Sequence, residues 1–193
     1  MKDILGFLFL LMPLILLGIW LWLTRLLWKT GRRFLASSYA SRPVRLALVV
    51  LVGALWFGGS FWEAGGKKLY WDAKVRELCE KDGGVKVYET VELPAEMFDK
   101  WGMVNFYRPT QGENALGLEF LLSWNVSYLK TGNPSLYRSH TQIFRRSDDK
   151  LLGESVGYSR GGGDLPGPWQ PSSYSCPETY GQVPLLKEIF TKK

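Results

Sequence analysis

The sequence predicts a two-helix transmembrane hairpin followed by a small α+β domain, with one long helix on an antiparallel sheet of about four strands. Three observations carry this. Two long uncharged apolar runs fall within the first 62 residues. A helix-period pattern follows at once. After it come short alternating segments separated by turn residues.

From Ile4 to Thr24 there are 21 residues without a charge. At about 1.5 Å per residue such a helix spans roughly the 30 Å of a hydrocarbon core. The first span is placed at about 4–28. Pro13 lies inside it, and membrane helices tolerate proline, with a kink as one outcome. A cleaved signal peptide fits less well, because the n-region is only Met1-Lys2-Asp3 and tryptophan-rich sequence follows in place of a small-residue cleavage site. The second run, 46–62, is short for a span. Val44 and a snorkelling Arg45 extend it to about 44–62. A buried helix of a soluble core is the competing reading. The glycines and terminal aromatics (Trp56, Phe57, Phe61, Trp62) argue against it.

The net charge of +6 invites a polyanion partner. Its distribution points elsewhere. Residues 1–63 carry seven basic and two acidic side chains, whereas 64–193 are nearly balanced, with 17 and 16. The excess gathers around the connection 29–43, where Lys29, Arg32, Arg33 and Arg42, with Arg45 just beyond, have no acidic neighbour. Short basic connections stay in the cytoplasm, so both termini are expected outside. The basic connection is expected to touch anionic lipid, and no nucleic-acid role is expected. Residues 1–66 are thus the anchor and 67–193 an extracytoplasmic domain. Ala54 and Gly58 form a small-xxx-small pair in the second span. They suit packing on the first span, the favoured reading, or a homodimer contact. Gly65-Gly66 reads as a flexible exit.

In KKLYWDAKVRELCEKDGG, Trp71, Val75, Leu78 and Cys79 share one helical face, and Gly83 is a natural stop. VKVYETVEL alternates as one strand, with Val85, Val87, Glu89 and Val91 on one side. Pro94 opens a short helical turn closed by Gly102. Residues 103–115 show no period, and 116–130 are strand-like and aromatic. TGNP is a turn, and YRSHTQIFRR with LLGESVGYSR around SDDK forms a hairpin. Residues 161–182 are a Gly/Pro/Ser loop, and Pro184 opens a final short helix.

Cys79 and Cys176 both fall in the outer domain. In an oxidising compartment two remote cysteines often pair. The bond would close about 98 residues and stabilise by roughly 4 kcal/mol in the chain-entropy account. The alternative is two free thiols, with Cys79 filling a helix face. Without a C-x-x-C and with His140 as the single histidine, no metal site is expected, and no cofactor is implied.

Gly153-Glu-Ser-Val-Gly157 matches the hydrolase nucleophile elbow. Its flanks are strand-like, no helix follows, and His140 precedes Ser155, so a strand containing two glycines is the better reading. His140 suits a cross-strand role better than a base or pH switch. GGGDLPG lacks the ending of a phosphate loop. Asn125-Val-Ser127 matches a glycosylation acceptor inside strand-like sequence. Aromatics remain the functional signal. Trp71, Trp101, Trp124 and Trp169 lie in the outer domain, with Tyr158, Tyr174 and Tyr180 near the 160–177 loop. Tryptophan and tyrosine beside adaptable Gly/Ser loops make contact surfaces. Trp169, Tyr158, Tyr174, Asp164 and Arg160 are the candidate binding residues, and no catalytic residue is assigned.

The stretch IFRRSDDKLLGESVGYSRGGGDLPGPW followed by SSYSCP, with LCEKDGGVKVYETVELP before it, resembles a group of small proteobacterial membrane proteins. The likeness covers about 67–180. It implies a bacterial inner membrane and a periplasmic domain, and brings no activity or site residue. The leading expectation is a non-enzymatic binding or accessory domain with a membrane or periplasmic protein as partner. The alternatives are a small enzyme using carboxylates such as Glu89, Glu92 or Asp164, and a cell-wall glycan-binding module built on Trp169 and nearby tyrosines.

Overall fold

The computed structural model describes residues 2–37, 41–165 and 170–193, with 2–10 as backbone only. The described residues form two compact units, one of residues up to Gly66 with Leu165 and Gln170, the other of Lys67–Asp164 and Pro171–Lys193.

In the first unit, α1 spans Lys2–Ala36 and α2 spans Arg42–Phe61. Both contain a stretch long and apolar enough to cross a membrane. α1 runs eight residues past its expected end at 28, carrying Lys29, Arg32 and Arg33 on helix. No proline or capping glycine lies there to stop it; Gly31 alone is tolerated, and it faces Val49. Pro43 sits in the first turn of α2, where its missing N–H costs nothing.

The helices run in opposite directions. The Trp20 indole donates to Ser60 Oγ at 3.0 Å and the Trp56 indole to Thr24 Oγ1 at 3.1 Å. Trp20 also meets Phe57 edge-on at 5.9 Å. An indole N–H withdrawn from water needs an acceptor, so these bonds fix the contact face. That face carries Val49, Trp56 and Ser60. The favoured packing of Ala54 and Gly58 on the first helix is therefore wrong: both are exposed, and a Cβ on Gly58 would meet nothing within 4 Å. Gly65-Gly66, expected as a flexible exit, is helical. It completes a π-helical turn, Trp62–Gly66, in which the Phe61 ring packs against Gly66.

The second unit begins with α3 (Lys67–Asp82). Gly83 ends it because a side chain there would strike the Cys79 carbonyl at 2.6 Å. The expected single strand 85–93 is two: β1 (Gly84–Val87) and β2 (Val91–Leu93). They part because Tyr88 and Glu89 both direct their N–H to the Leu152 carbonyl. A 3₁₀ turn (Ala95–Met97) and a second 3₁₀ segment (Pro109–Asn114) lead to β3 (Phe120–Lys130). Then come β4 (Ser135–Arg145), β5 (Lys150–Gly161), β6 (Ser173–Ser175), α4 (Gln182–Ile189) and β7 (Phe190–Lys192). The sheet order is β1-β5-β4-β3, antiparallel, with β6 also on β5; β2 and β7 pair in parallel.

Two cores result. On one face of the sheet, Val75 and Cys79 of α3 meet Leu136, Val156 and Tyr158. On the other, Leu185, Leu186, Ile189 and Phe190 pack with Phe120, Leu122, Ile143, Leu152, Ala115 and Leu116. Gly153 lets α4 approach, since a Cβ there would lie 2.9 Å from Ile189 and 2.8 Å from the Lys86 carbonyl.

Candidate binding surface

One face of α3, at the i, i+4, i+7 spacing of residues 68, 72, 75, 79 and 82, holds the chain around the Gly/Pro loop. Lys68 pairs with Asp164 at 2.8 Å. Asp72 accepts from Arg160 Nε at 2.5 Å. Cys79 is disulfide-bonded to Cys176. Asp82 accepts from the Tyr158 hydroxyl at 2.6 Å.

Four of the five candidate binding residues, Tyr158, Arg160, Asp164 and Tyr174, are therefore strung along α3, and the polar atoms of Tyr158, Arg160 and Asp164 are engaged by the helix. Arg160 is 2% exposed. Its guanidinium also donates to the Gly162 carbonyl and, at 3.3 Å, to the Ser172 carbonyl. Asp164 further accepts from the Ser172 N–H at 2.6 Å. The Lys68 ammonium is the main cause that holds its carboxyl down at about 2. Burial, and then Asp82, pushes the Tyr158 phenol up. Tyr174 packs half-buried beside the α3 core. Trp169 lies outside the described residues.

The carboxylates do not converge. Glu89 pairs with Arg145 and Lys150, and their hydrogen bonds keep its carboxyl low. Glu154 accepts from Tyr88 at 2.6 Å and lies 2.7 Å from His140 Nε2 across the strand, both of which lower it. Groups held ionised in ion pairs are poor general acids. Ser155 is buried mid-strand and donates to the Tyr180 carbonyl at 2.6 Å, unlike a nucleophile on an exposed elbow. Among the described residues no group of three or more His, Cys, Asp or Glu side chains could hold a metal ion.

The register reveals a surface that the loop-centred reading passed over. Phe120, Leu122, Trp124, Val126 and Tyr128 share one face of β3. The first two are buried under α4 and its neighbours. The next three extend beyond that cover, and Trp124 is 66% and Tyr128 64% exposed. On β4, Tyr137 lies opposite Tyr128, with ring centres 5.8 Å apart. The same face continues through Ser139, Gly157, Ser159 and Gly161. Ser139 and Ser135 donate to strand carbonyls, and Ser159 to Ser175. The result is an uncharged, rigid platform of rings beside a small-residue floor. Its signal was in the sequence: an alternating apolar face five residues deep is more than one short helix can cover. In comparisons with family models, curated proteins and solved structures, nothing matches this chain.

Proposed function

We propose that this chain is a bacterial inner-membrane protein whose periplasmic domain binds a partner protein without catalysing a reaction. The carrying observation is the platform of exposed Trp124 and Tyr128 beside half-buried Tyr137 on a stapled sheet. Large rigid aromatics bind at low entropic cost and dominate interface energetics. The two spans form a transmembrane hairpin with the basic connection inside and both termini in the periplasm, as the charge distribution supports. The disulfide suits an oxidising compartment, and the likeness to small proteobacterial membrane proteins agrees.

The test places a photo-crosslinking residue at Tyr128 of the full chain in membranes. A discrete protein adduct that disappears with Trp124→Ala supports the reading. Each buried aromatic anchor removed costs about 2 kcal/mol or more of binding, roughly thirtyfold. No adduct, together with retention on purified peptidoglycan that depends on Trp124, would replace the protein partner with glycan.

A further inference from the structure

β3 is the outermost strand of the sheet and pairs only with β4. Its hydrogen-bonding phase follows from one contact. Arg146 N–H donates to the Glu119 carbonyl, one step beyond the Phe120–Arg145 pair. Phe120–Arg145 is therefore a non-hydrogen-bonded pair, and so are the pairs at residues 122, 124, 126 and 128. The N–H and C=O groups of Trp124, Val126 and Tyr128 consequently point away from β4. No described residue bonds them.

Both ends of this edge are closed. The Arg146 guanidinium covers it at the Phe120 carbonyl and is itself bonded to Asn114. A bulge between Tyr128 and Lys130 breaks it at the other end. Between them, Ser-Trp-Asn-Val-Ser-Tyr-Leu (123–129) has no charge, proline or glycine. Native edges are usually blunted by such residues, so an open, uncharged, seven-residue edge is a strand-addition site.

We infer that the occupant is a second copy of this chain, paired antiparallel through β3 about a two-fold axis at Val126. The sequence around Val126 is complementary to itself. Val126 faces Val126 of the second copy, and Trp124 faces its Tyr128, an aromatic pair on the platform face. On the opposite face Asn125 meets Ser127, two groups that can hydrogen-bond. No like charges meet at the axis, which is the electrostatic requirement of an isologous contact. Three strand pairs exchange about six backbone hydrogen bonds. The two platforms then join into one continuous aromatic face. This dimer does not depend on whether that face binds a partner.

The test uses the full chain in native membranes under mild oxidation. At a hydrogen-bonded pair the Cα atoms sit about 5.5 Å apart, within disulfide range. Val126→Cys should give a reductant-sensitive dimer at least about tenfold more efficiently than Ser123→Cys, whose copies lie about 20 Å apart in this register. Purified wild-type protein should have dimer mass by light scattering. Val126→Pro, which removes a central donor on the open edge, should have monomer mass with an unchanged far-ultraviolet spectrum. A monomeric wild type, equal crosslinking at 123 and 126, or a dimer that survives Val126→Pro with its fold intact would overturn the inference. The last result would point to the exposed Ala54–Gly58 stripe.

Discussion

Removing the disulfide between Cys79 and Cys176 should destabilise the second unit while leaving its topology intact. The bond links residues 97 apart. A loop of that size removes about 4.7 kcal/mol of chain entropy from the unfolded state, and losses in small domains run about 2–5 kcal/mol. The native contacts around it persist without sulfur: Cys176 N–H still donates to the Tyr158 carbonyl, and Val75 still fills the core. A net loss of about 3–4 kcal/mol follows. The unit has about 120 residues, and at about 2.1 cal/mol/K per residue each kcal/mol moves Tm by about 4 °C. The expected drop is therefore about 12–16 °C. The variant is Cys79→Ala with Cys176→Ala, because a serine at buried position 79 would hide a hydroxyl. The assay is thermal unfolding of the purified full chain in mild detergent, followed by near-ultraviolet dichroism, with wild type run with and without reductant. Reduced wild type should melt close to the double variant. A shift below about 3 °C in both would refute the reasoning, because the loop closure would then contribute little.

Three further outcomes follow from the same unit. Arg160→Met should cost about 3 kcal/mol, since it strips the donor from Asp72 and from the carbonyls of Gly162 and Ser172; urea unfolding monitored by tryptophan fluorescence measures it. Asp164 is held well below the ordinary carboxylate range, so its contribution is full above about pH 4 and fades as pH falls through about 2. Asp164→Asn should therefore lower Tm modestly at pH 7, by an amount that shrinks below pH 4. Gly153→Ala should cost about 1–3 kcal/mol, because its methyl would collide with the Lys86 carbonyl and Ile189; chemical denaturation reads it, and Gly157→Ala, which meets only the Ser139 hydroxyl, should cost less.

The parts of the fold that were legible in the sequence are those set by local periodicity. The α3 face of Trp71, Val75, Leu78 and Cys79, the hairpin around Ser147–Asp149 and the two apolar helices all follow from spacing of 3.6 or 2. The cysteine pairing was legible from compartment logic. What was not legible depends on distant partners. The break after Val87 needs the Leu152 carbonyl and the parallel β2–β7 pair, both far along the chain. Arg160 resembled a surface residue because nothing nearby in sequence announces Asp72, 88 positions earlier. The contact face of α2 was misread because small residues suggested packing, whereas two indole hydrogen bonds decided it. The β3 half of the aromatic platform was legible as an alternating face, but its extension to Tyr137 was hidden because Tyr128 and Tyr137 meet only through the β3–β4 register.

The central claim is that the α+β unit lies outside the cytoplasm, and one labelling experiment tests it. Leu118, 87% exposed, is replaced by cysteine in the full chain. Intact spheroplasts are then treated with a membrane-impermeant maleimide, with wild type, whose cysteines are bonded to each other, as the control. The account predicts labelling of Leu118→Cys in intact spheroplasts without reductant, and none of wild type. Labelling of Leu118→Cys only after lysis would place the unit in the cytoplasm and contradict the topology.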